Sequence, residues 1–441
     1  MSTSTASAPV PNEPPAPKNS ARRVLFASLV GTTIEFTDFY IYATAAVLVF
    51  PHLFFPPSEG NAAILESLAT FALAFLARPL GSALFGHFGD RVGRKATLVA
   101  ALMTMGVSTV VIGLLPTYAQ IGIAAPILLA ICRLGQGLGL GGEWGGAVLL
   151  ATENAPPGKR AMYGMFPQLG APLGFVIASS SFLILDQVMS DEQFLAWGWR
   201  IPFLMSAVLV LLGLWVRLKI EETPVFQRTL DKKEALRMPM MTVIREHTRM
   251  LVLGTVLSIS TFVLFYLMTV FSLTWGTTEL NYTRNEFLVV QLISIVFFAA
   301  TIPLSAYIAD RLGRRITLLG VSVAMILYGF GFSSLFGSGD TFQVIVFLSV
   351  GLALMGFVYG PLGTILSELF PTAVRYTGAS LTFNLAGIFG ASLAPYIATW
   401  LATEYSLAAV GFYLSASSVL SLIALWLVGE TQHIDLDAVD H

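Results

Sequence analysis

Between residues 24 and 429 the chain is a succession of long apolar stretches, set apart by short polar or Gly/Pro-bearing joints. A helix needs about 20 apolar residues to cross the hydrocarbon core of a bilayer. Twelve stretches reach that length, near 24–50, 63–86, 97–116, 120–150, 161–187, 199–219, 250–276, 285–309, 316–337, 342–368, 376–402 and 406–429. In lipid every backbone N–H and C=O must be satisfied within the fold, which restricts continuous spans of this length to helices. Gly and Pro interrupt many of them, as lipid-embedded helices tolerate and soluble ones rarely do. Hydrophobic residues make up 55% of the chain and charged residues 11%, against about 25% charged in a soluble domain. A soluble core could not hide so much apolar surface. The expected fold class is an all-α membrane protein with twelve transmembrane helices.

The positions of Lys and Arg predict which way the spans run. With the N-terminus inside, the cytoplasmic segments hold 20 of the 24 basic residues, and the outer loops hold only Arg200 and Arg284. The remaining two, Arg78 and Arg133, lie within spans. This asymmetry is that of an even number of spans with both termini cytoplasmic. Residues 1–21 are Pro/Ala/Ser-rich without an apolar core and read as a disordered cytoplasmic tail, not a signal peptide. Residues 430–441 read as a second cytoplasmic tail.

Three landmarks occur twice. Asp90-Arg91-Val-Gly93-Arg94 matches Asp310-Arg311-Leu-Gly313-Arg314 at an offset of 220. Glu153, Arg160 and Gly164 match Glu368, Arg375 and Gly378 at offsets of 215, 215 and 214. Glu222-Thr223 matches Glu430-Thr431 at 208. The landmarks follow the even-numbered spans and all fall on the predicted cytoplasmic side. The chain therefore reads as a six-helix unit, 22–219, a linker, 220–249, and a second six-helix unit, 250–429. Parallel repeats of this kind build rocking-bundle transporters that bind cargo between the halves. The repeated residues, with Gly86, are the expected cytoplasmic gate. Gly93 permits a tight turn, and Asp90, Arg91 and Arg160 can pair when the inner mouth is closed. Plain positive-inside anchoring would need neither Asp nor Gly at matching positions.

These strings resemble a known family. Gly86-x-x-x-Asp90-Arg91-x-Gly93-Arg94-Lys95 is similar to the signature of the major facilitator superfamily. Arg133-Leu-Gly-Gln136-Gly137 resembles its second motif, whose arginine that resemblance links to proton coupling. Within the superfamily the chain most resembles the metabolite:H⁺ symporters. Glu35-Phe-Thr-Asp38, Arg78-Pro79-Leu-Gly81, Gly139-Leu-Gly-Gly-Glu143-Trp144, Trp197-Gly-Trp199-Arg200-Ile-Pro202 and Glu222-Thr-Pro224 carry the likeness. The family commonly has Glu-Trp-Tyr-Asp where this chain has Glu35-Phe-Thr-Asp38, so an aromatic edge is missing near the expected pocket. Gly170-Ala-Pro172-Leu-Gly174 resembles the antiporter motif only loosely, which leans against drug antiport. The resemblance implies two parallel six-helix bundles, a monomer in a bacterial inner membrane, and cargo ranging from organic acids to zwitterions such as proline or betaine.

Charges at mid-bilayer cost about 2.5–3.5 kcal/mol each on insertion scales and mark pathways or proton relays. Here they are Asp38 and Glu35 in the first span, Arg78 in the second, and Arg133 and Glu143 in the fourth. Glu143 lies ten residues past Arg133, about 15 Å along a continuous helix. The second half offers polar and aromatic groups instead: Thr261, Tyr266, Trp275, Gln291, Tyr359 and Asn384. We expect the first half to bind the proton and the anionic end of the cargo, and the second to shape specificity. The proton-coupling set is Asp38, Glu35 and Arg133; the substrate-binding set is Arg78, Arg133, Glu143, Tyr266, Tyr359 and Asn384. In the coupling scheme Arg133 pairs with Asp38 until a substrate carboxylate captures it, and Asp38 then takes a proton. A permanent Asp38–Arg133 bridge pinning the two spans is the structural alternative, as is internal neutralisation of both arginines by Asp38, Glu35 and Glu143.

Metal-ligand spacing, phosphate loops, nucleophile elbows and thiol pairs are missing from the sequence. The single cysteine, Cys132, cannot form an internal disulfide and reads as a small buried hydrophobe. A net charge of −2 gives no basis for nucleic-acid binding. The expectation is a transporter rather than an enzyme, with protons, a small carboxylate-bearing molecule and the lipid bilayer as its partners. No cofactor or metal is expected. A proton-independent uniporter and a zwitterion symporter remain open.

Overall fold

The computed structural model describes residues 21–56, 61–92, 94–218, 239–371 and 374–432. All twelve apolar stretches are helical. We number the rods α1 (Ala21–Leu48), α2 (Asn61–Val92), α3 (Arg94–Leu114), α4 (Ala124–Leu140, resuming as Glu143–Glu153), α5 (Arg160–Gln168 and Gly170–Val188) and α6 (Arg200–Leu218). The second set is α7 (Thr248–Tyr266, continuing through Ser272–Thr278), α8 (Arg284–Leu312), α9 (Arg314–Gly329), α10 (Thr341–Glu368), α11 (Arg375–Gly387, continuing to Ala394–Glu404) and α12 (Leu407–Leu427). Among the described residues nine helices are long and apolar enough to cross a membrane unaided, and ten if the segments Asp191–Gly198 and Arg200–Val216, bent by 46°, count as one span. The shorter rods α3 and α9 complete the twelve.

Packing repeats after six rods. In the first half α1 lies along α5, α2 along α4, and α3 along α6; in the second α7 lies along α11, α8 along α10, and α9 along α12. The halves meet through α5 against α8 and α10, and through α2 against α11. This is the two-bundle arrangement the duplicated landmarks predict, and it sets the functional groups at an interface between parallel repeats.

Glycine allows α2 and α4 to touch backbone to backbone. A Cβ on Gly137 would lie 2.2 Å from the Ala74 carbonyl oxygen, and one on Gly141 2.1 Å from that of Arg78. Contacts this close exclude any side chain. The continuous α4 expected from sequence is interrupted here: the helix stops at Leu140 and restarts at Glu143. Glu143 therefore opens the second part of α4, while Ala124–Glu153 still runs as one span.

Single π-turns interrupt α7 at Leu267–Phe271 and α11 at Ile388–Ser392, two rods that pack on each other. A π-turn leaves carbonyls misaligned with the α ladder and often marks a functional bend. In α7 the Gln291 side chain of α8 meets that need: its Nε2 donates to the Thr269 carbonyl at 2.6 Å, the Met268 carbonyl at 3.4 Å and the Ser272 hydroxyl at 3.2 Å.

Candidate functional site

Asp38 is fully buried inside the first half. The Ser206 hydroxyl of α6 donates to its Oδ1 at 2.6 Å, while Oδ2 has no hydrogen-bond partner. Arg133 is buried as well. Its Nη1 donates to Gln136 Oε1 at 2.9 Å, and its Nε donates to the Phe71 carbonyl at 3.4 Å. Gln136 passes the chain on through Nε2 to Thr109 Oγ1 at 2.8 Å. Among the described residues no ion pair joins Asp38 to Arg133. The expected bridge is replaced by neutral partners and by aromatic faces: the Arg133 guanidinium lies 4.0 Å from the Tyr42 ring centroid and 4.4 Å from that of Phe39. Position along two helices does not set which faces they turn to one another.

Arg78 occupies a different setting. It is buried, lies 4.7 Å from the Phe75 ring centroid and 4.9 Å from that of Phe39, and its Nε has no partner. It forms neither a hydrogen bond nor an ion pair with any described residue. Phe39 thus carries one guanidinium of each site within 5 Å of its ring centre. Arg78 also lines a small cavity between the halves, together with Tyr40, Thr261, Tyr266, Tyr359 and Phe383. The cavity measures about 20 Å³, room for a single water, so the form described here is closed around the centre.

Of the expected substrate-binding set, Arg78, Tyr266 and Tyr359 meet at this cavity. Arg133 is displaced from it into the Asp38 side of the aromatic cluster. Asn384 lies to one side, where its Nδ2 donates to Ser82 Oγ and to the Gly141 carbonyl, each at 2.9 Å. Glu35 is buried one turn from Asp38, and Glu143 is buried at the α4 restart. Beside Glu143, Trp144 stacks flat on Phe383 of α11 with centroids 3.6 Å apart. Its indole donates to Gln168, which in turn donates to the Tyr359 carbonyl, both at 3.0 Å. This stack floors the cavity and ties α4 to α10 and α11.

At the end of the bundle beyond that floor, the repeated charges of the second half converge. Asp310 accepts from the Ala161 and Met162 amides at 3.0 and 2.9 Å, so an α8 carboxylate caps the start of α5, where anions are favoured by the free N–H groups. Arg314 reaches Asp310 at 3.1 Å and Glu368 at 3.3 Å, and Arg160 of the first half reaches Glu368 at 3.5 Å. Glu430 caps α9 by accepting from the Arg314 and Arg315 amides at 2.9 and 3.1 Å, while Thr431 donates to Glu368 at 2.7 Å. Gly313 turns the chain between α8 and α9 at φ 104°, and a Cβ there would meet Glu430. Arg375 donates to the Phe370 carbonyl at 3.2 Å. Arg311 is exposed and lies on the Tyr307 ring instead of joining the cluster. Glu153 ends the second part of α4. Of the first-half set, Gly93 lies outside the described residues, as do the side chains of 86–98 and so those of Asp90, Arg91 and Arg94.

At the opposite end a second ion pair crosses between the halves. Arg284 Nη1, at the start of α8, lies 2.7 Å from Asp186 Oδ1 of α5 and 3.5 Å from Asp191 Oδ1. Sequence reasoning placed Arg284 in an outer loop and gave it no role; an acid 98 positions away leaves no local signal. Ser206 was missed for the same reason. Gln136 lies within Arg133-Leu-Gly-Gln136-Gly137, and its place beside Arg133 at i, i+3 follows from helical spacing.

Comparison with known proteins agrees with this architecture. The family described as "Sugar (and other) transporter" matches residues 24–243 and 236–441. The inner membrane metabolite transport protein YhjE of Escherichia coli (strain K12) is 58% identical over 95% of this chain and 97% of its own. The shikimate transporter of the same organism is 36% identical over 96% of this chain and 98% of its own. Among solved structures, a D-xylose-proton symporter superposes with a TM-score of 0.70 at 18% identity, covering 94% of this chain and 99% of that one.

Proposed function

The chain belongs to the major facilitator superfamily as a multi-pass inner-membrane metabolite transporter of the sugar (and other) transporter family, and from that premise we propose that it takes up a small organic anion together with protons. The observation that carries the reading is Arg78: a buried guanidinium without an anionic partner, lining the cavity between the halves. Burying a cation alone is costly, and a cargo carboxylate would supply the missing charge. The E. coli relative named for shikimate, an organic acid, supports a carboxylate cargo.

Asp38 is the proton carrier in this proposal. It is bonded to Ser206 and does not line the cavity, while the ring of the next residue, Phe39, touches the guanidiniums of both Arg78 and Arg133. A carboxylate arriving at Arg78 brings negative charge toward Asp38 and favours its protonated form, and by linkage a proton on Asp38 favours the carboxylate. The coupling is then electrostatic, and Arg133 need not change partners. Glu35 is placed to relay the proton along α1. A monoanion carried with one proton moves no net charge and draws only on the pH gradient.

The Arg160 end is the cytoplasmic gate in this reading, with both termini on that side, residues 22–219 and 250–429 as the two moving units, and 220–249 as their linker. Gly86, Asp90, Arg91, Gly93 and Arg94 complete the gate in the first half. The protein works as a monomer, since each chain holds a complete cavity.

The test is uptake of labelled carboxylic acids into proteoliposomes with an imposed pH gradient, with and without protonophore. Accumulation that collapses with protonophore is expected. Equilibration without accumulation indicates a uniporter, and uptake of neutral solutes alone overturns the anion reading.

A further inference from the structure

A second cavity lies beside the first. It measures about 10 Å³ and is lined by Tyr40, Thr44 and Phe175 of the first half and by Thr269, Val270 and Gln291 of the second. Each of its lining residues from α1, α5, α7 and α8 lies nearer the Arg284 end than the central-cavity residue on the same rod: Thr44 against Phe36, Phe175 against Ala171, Thr269 against Tyr266, Gln291 against Phe298. Tyr40 lines both cavities and forms the wall between them, braced by Phe36 at 5.7 Å, Phe175 at 5.4 Å and Phe265 at 5.6 Å between ring centres.

Polar groups without partners face each other here. Tyr40, Thr44 and Gln291 are 2%, 5% and 1% exposed. The Tyr40 and Thr44 hydroxyls make no hydrogen bond with any described residue. Gln291 uses its Nε2 on the α7 carbonyls, and its Oε1 accepts from none of the described residues. Buried polar groups are ordinarily satisfied, and three of them at one inter-half cavity make a recognition surface that lacks its ligand. No charged side chain lines the cavity. A second carboxylate or an ammonium would therefore be buried without a counter-charge. Two hydroxyls that can donate or accept, with one amide oxygen that accepts, are matched by a neutral group that does both.

We propose that this cavity binds a hydroxyl group of the cargo, so that the preferred substrate is a hydroxylated monocarboxylate with its carboxylate at Arg78 and its hydroxyl past Tyr40, against Thr44 and Gln291. The proposal rests on the reading that Arg78 holds a carboxylate. It makes Thr44, Tyr40 and Gln291 specificity-determining residues, and it places succinate-like dianions among the poor substrates.

The test is competition in proteoliposomes between cyclohexanecarboxylate and 3-hydroxycyclohexanecarboxylate, with succinate as the dianion. The unaltered protein is expected to prefer the hydroxylated acid by about 10-fold or more, since leaving a buried polar group unmatched is penalised. Thr44→Val and Tyr40→Phe remove one hydroxyl each while keeping shape and breaking no internal hydrogen bond. Each is expected to lower the ratio of the two KM values about 5-fold, the worth of one neutral hydrogen bond. A ratio near one in the unaltered protein, a ratio unmoved by both variants, or succinate as the best competitor overturns the proposal. Loss of uptake of both acids in Arg78→Gln supports the underlying carboxylate reading separately; full uptake of both in that variant sinks it.

Discussion

Arg284 and Asp186 close the end of the bundle opposite Arg160 and Glu368, with Nη1 and Oδ1 2.7 Å apart across the boundary between the halves. The Arg160 and Arg284 ion pairs sit at opposite ends of the cavities, and the form described here has both made. A transporter that opens one end at a time must break one pair while the other holds. The Arg284 side chain is 19% exposed and that of Asp186 16%, so the pair resembles a surface bridge worth about 1 kcal/mol or less. Arg284→Ala is expected to shift the closed form toward opening at that end by up to about 5-fold. Thiol labelling of Leu273→Cys in a Cys132→Ala background reads this directly. The reversed pair, Arg284→Asp with Asp186→Arg, should return the labelling rate toward that of the parent.

Glu368 holds the other end more tightly. It is buried, and it meets Arg314, Arg160 and Thr431 together. Removing one member of a buried ionic cluster leaves its partners uncompensated and costs about 3–5 kcal/mol. Glu368→Gln keeps the shape and part of the hydrogen bonding, so a loss near the lower bound is expected, read as a lower Tm in detergent. A Tm unchanged within error would show that Arg314 is satisfied by Asp310 alone.

Asp38→Asn tests the proton role. Ser206 can still donate to the amide oxygen, so the local packing survives. The variant is expected to catalyse counterflow exchange of labelled cargo at near the parental rate, and to lose accumulation driven by a pH gradient. Accumulation at the parental level would remove Asp38 from the coupling. Ser206→Ala is expected to have a smaller effect of the same kind, because it takes away a single donor to a carboxylate, about 1.5–3 kcal/mol of interaction.

Much of this architecture was legible in the sequence because membrane helices are specified locally. Length and apolarity set the rods, and the offsets of 220, 215 and 208 exposed the repeat. Which spans hold Asp38, Arg78 and Arg133 also came from counting residues. Azimuth did not. Arg133 was expected to meet Asp38, yet it points to Gln136 and the Phe39, Tyr42 and Phe71 rings, because its direction depends on how α4 is rolled against α1 and α2. The break at Gly141-Gly142 was hidden for a related reason. The approach of the Arg78 and Ser82 backbones to Gly141 comes from the neighbouring rod, not from the α4 sequence itself. The cross-half partners Asp310 with the α5 amides and Arg284 with Asp186 are set by the joining of two bundles, which no local pattern encodes.

Two glycines with opposite surroundings test whether the contact between α2 and α4 is as close as described. A Cβ on Gly141 would fall 2.1 Å from the Arg78 carbonyl oxygen and 2.7 Å from the Ser82 amide nitrogen. Both are backbone atoms, so no side-chain rotation relieves the clash, and the rods must separate. Overpacking of this kind costs about 1–3 kcal/mol, and here it also displaces Arg78 from its cavity. Gly141→Ala is expected to lower Tm and to weaken carboxylate uptake together. Gly320, on the exposed face of α9, has nothing within 4 Å of its Cβ position. There the substitution removes only the backbone freedom of glycine, which costs a helix interior about 1 kcal/mol relative to alanine, so Gly320→Ala should raise Tm slightly and leave uptake at the parental rate. Equal effects at the two positions would mean that α2 and α4 stand farther apart in the membrane than their glycines imply.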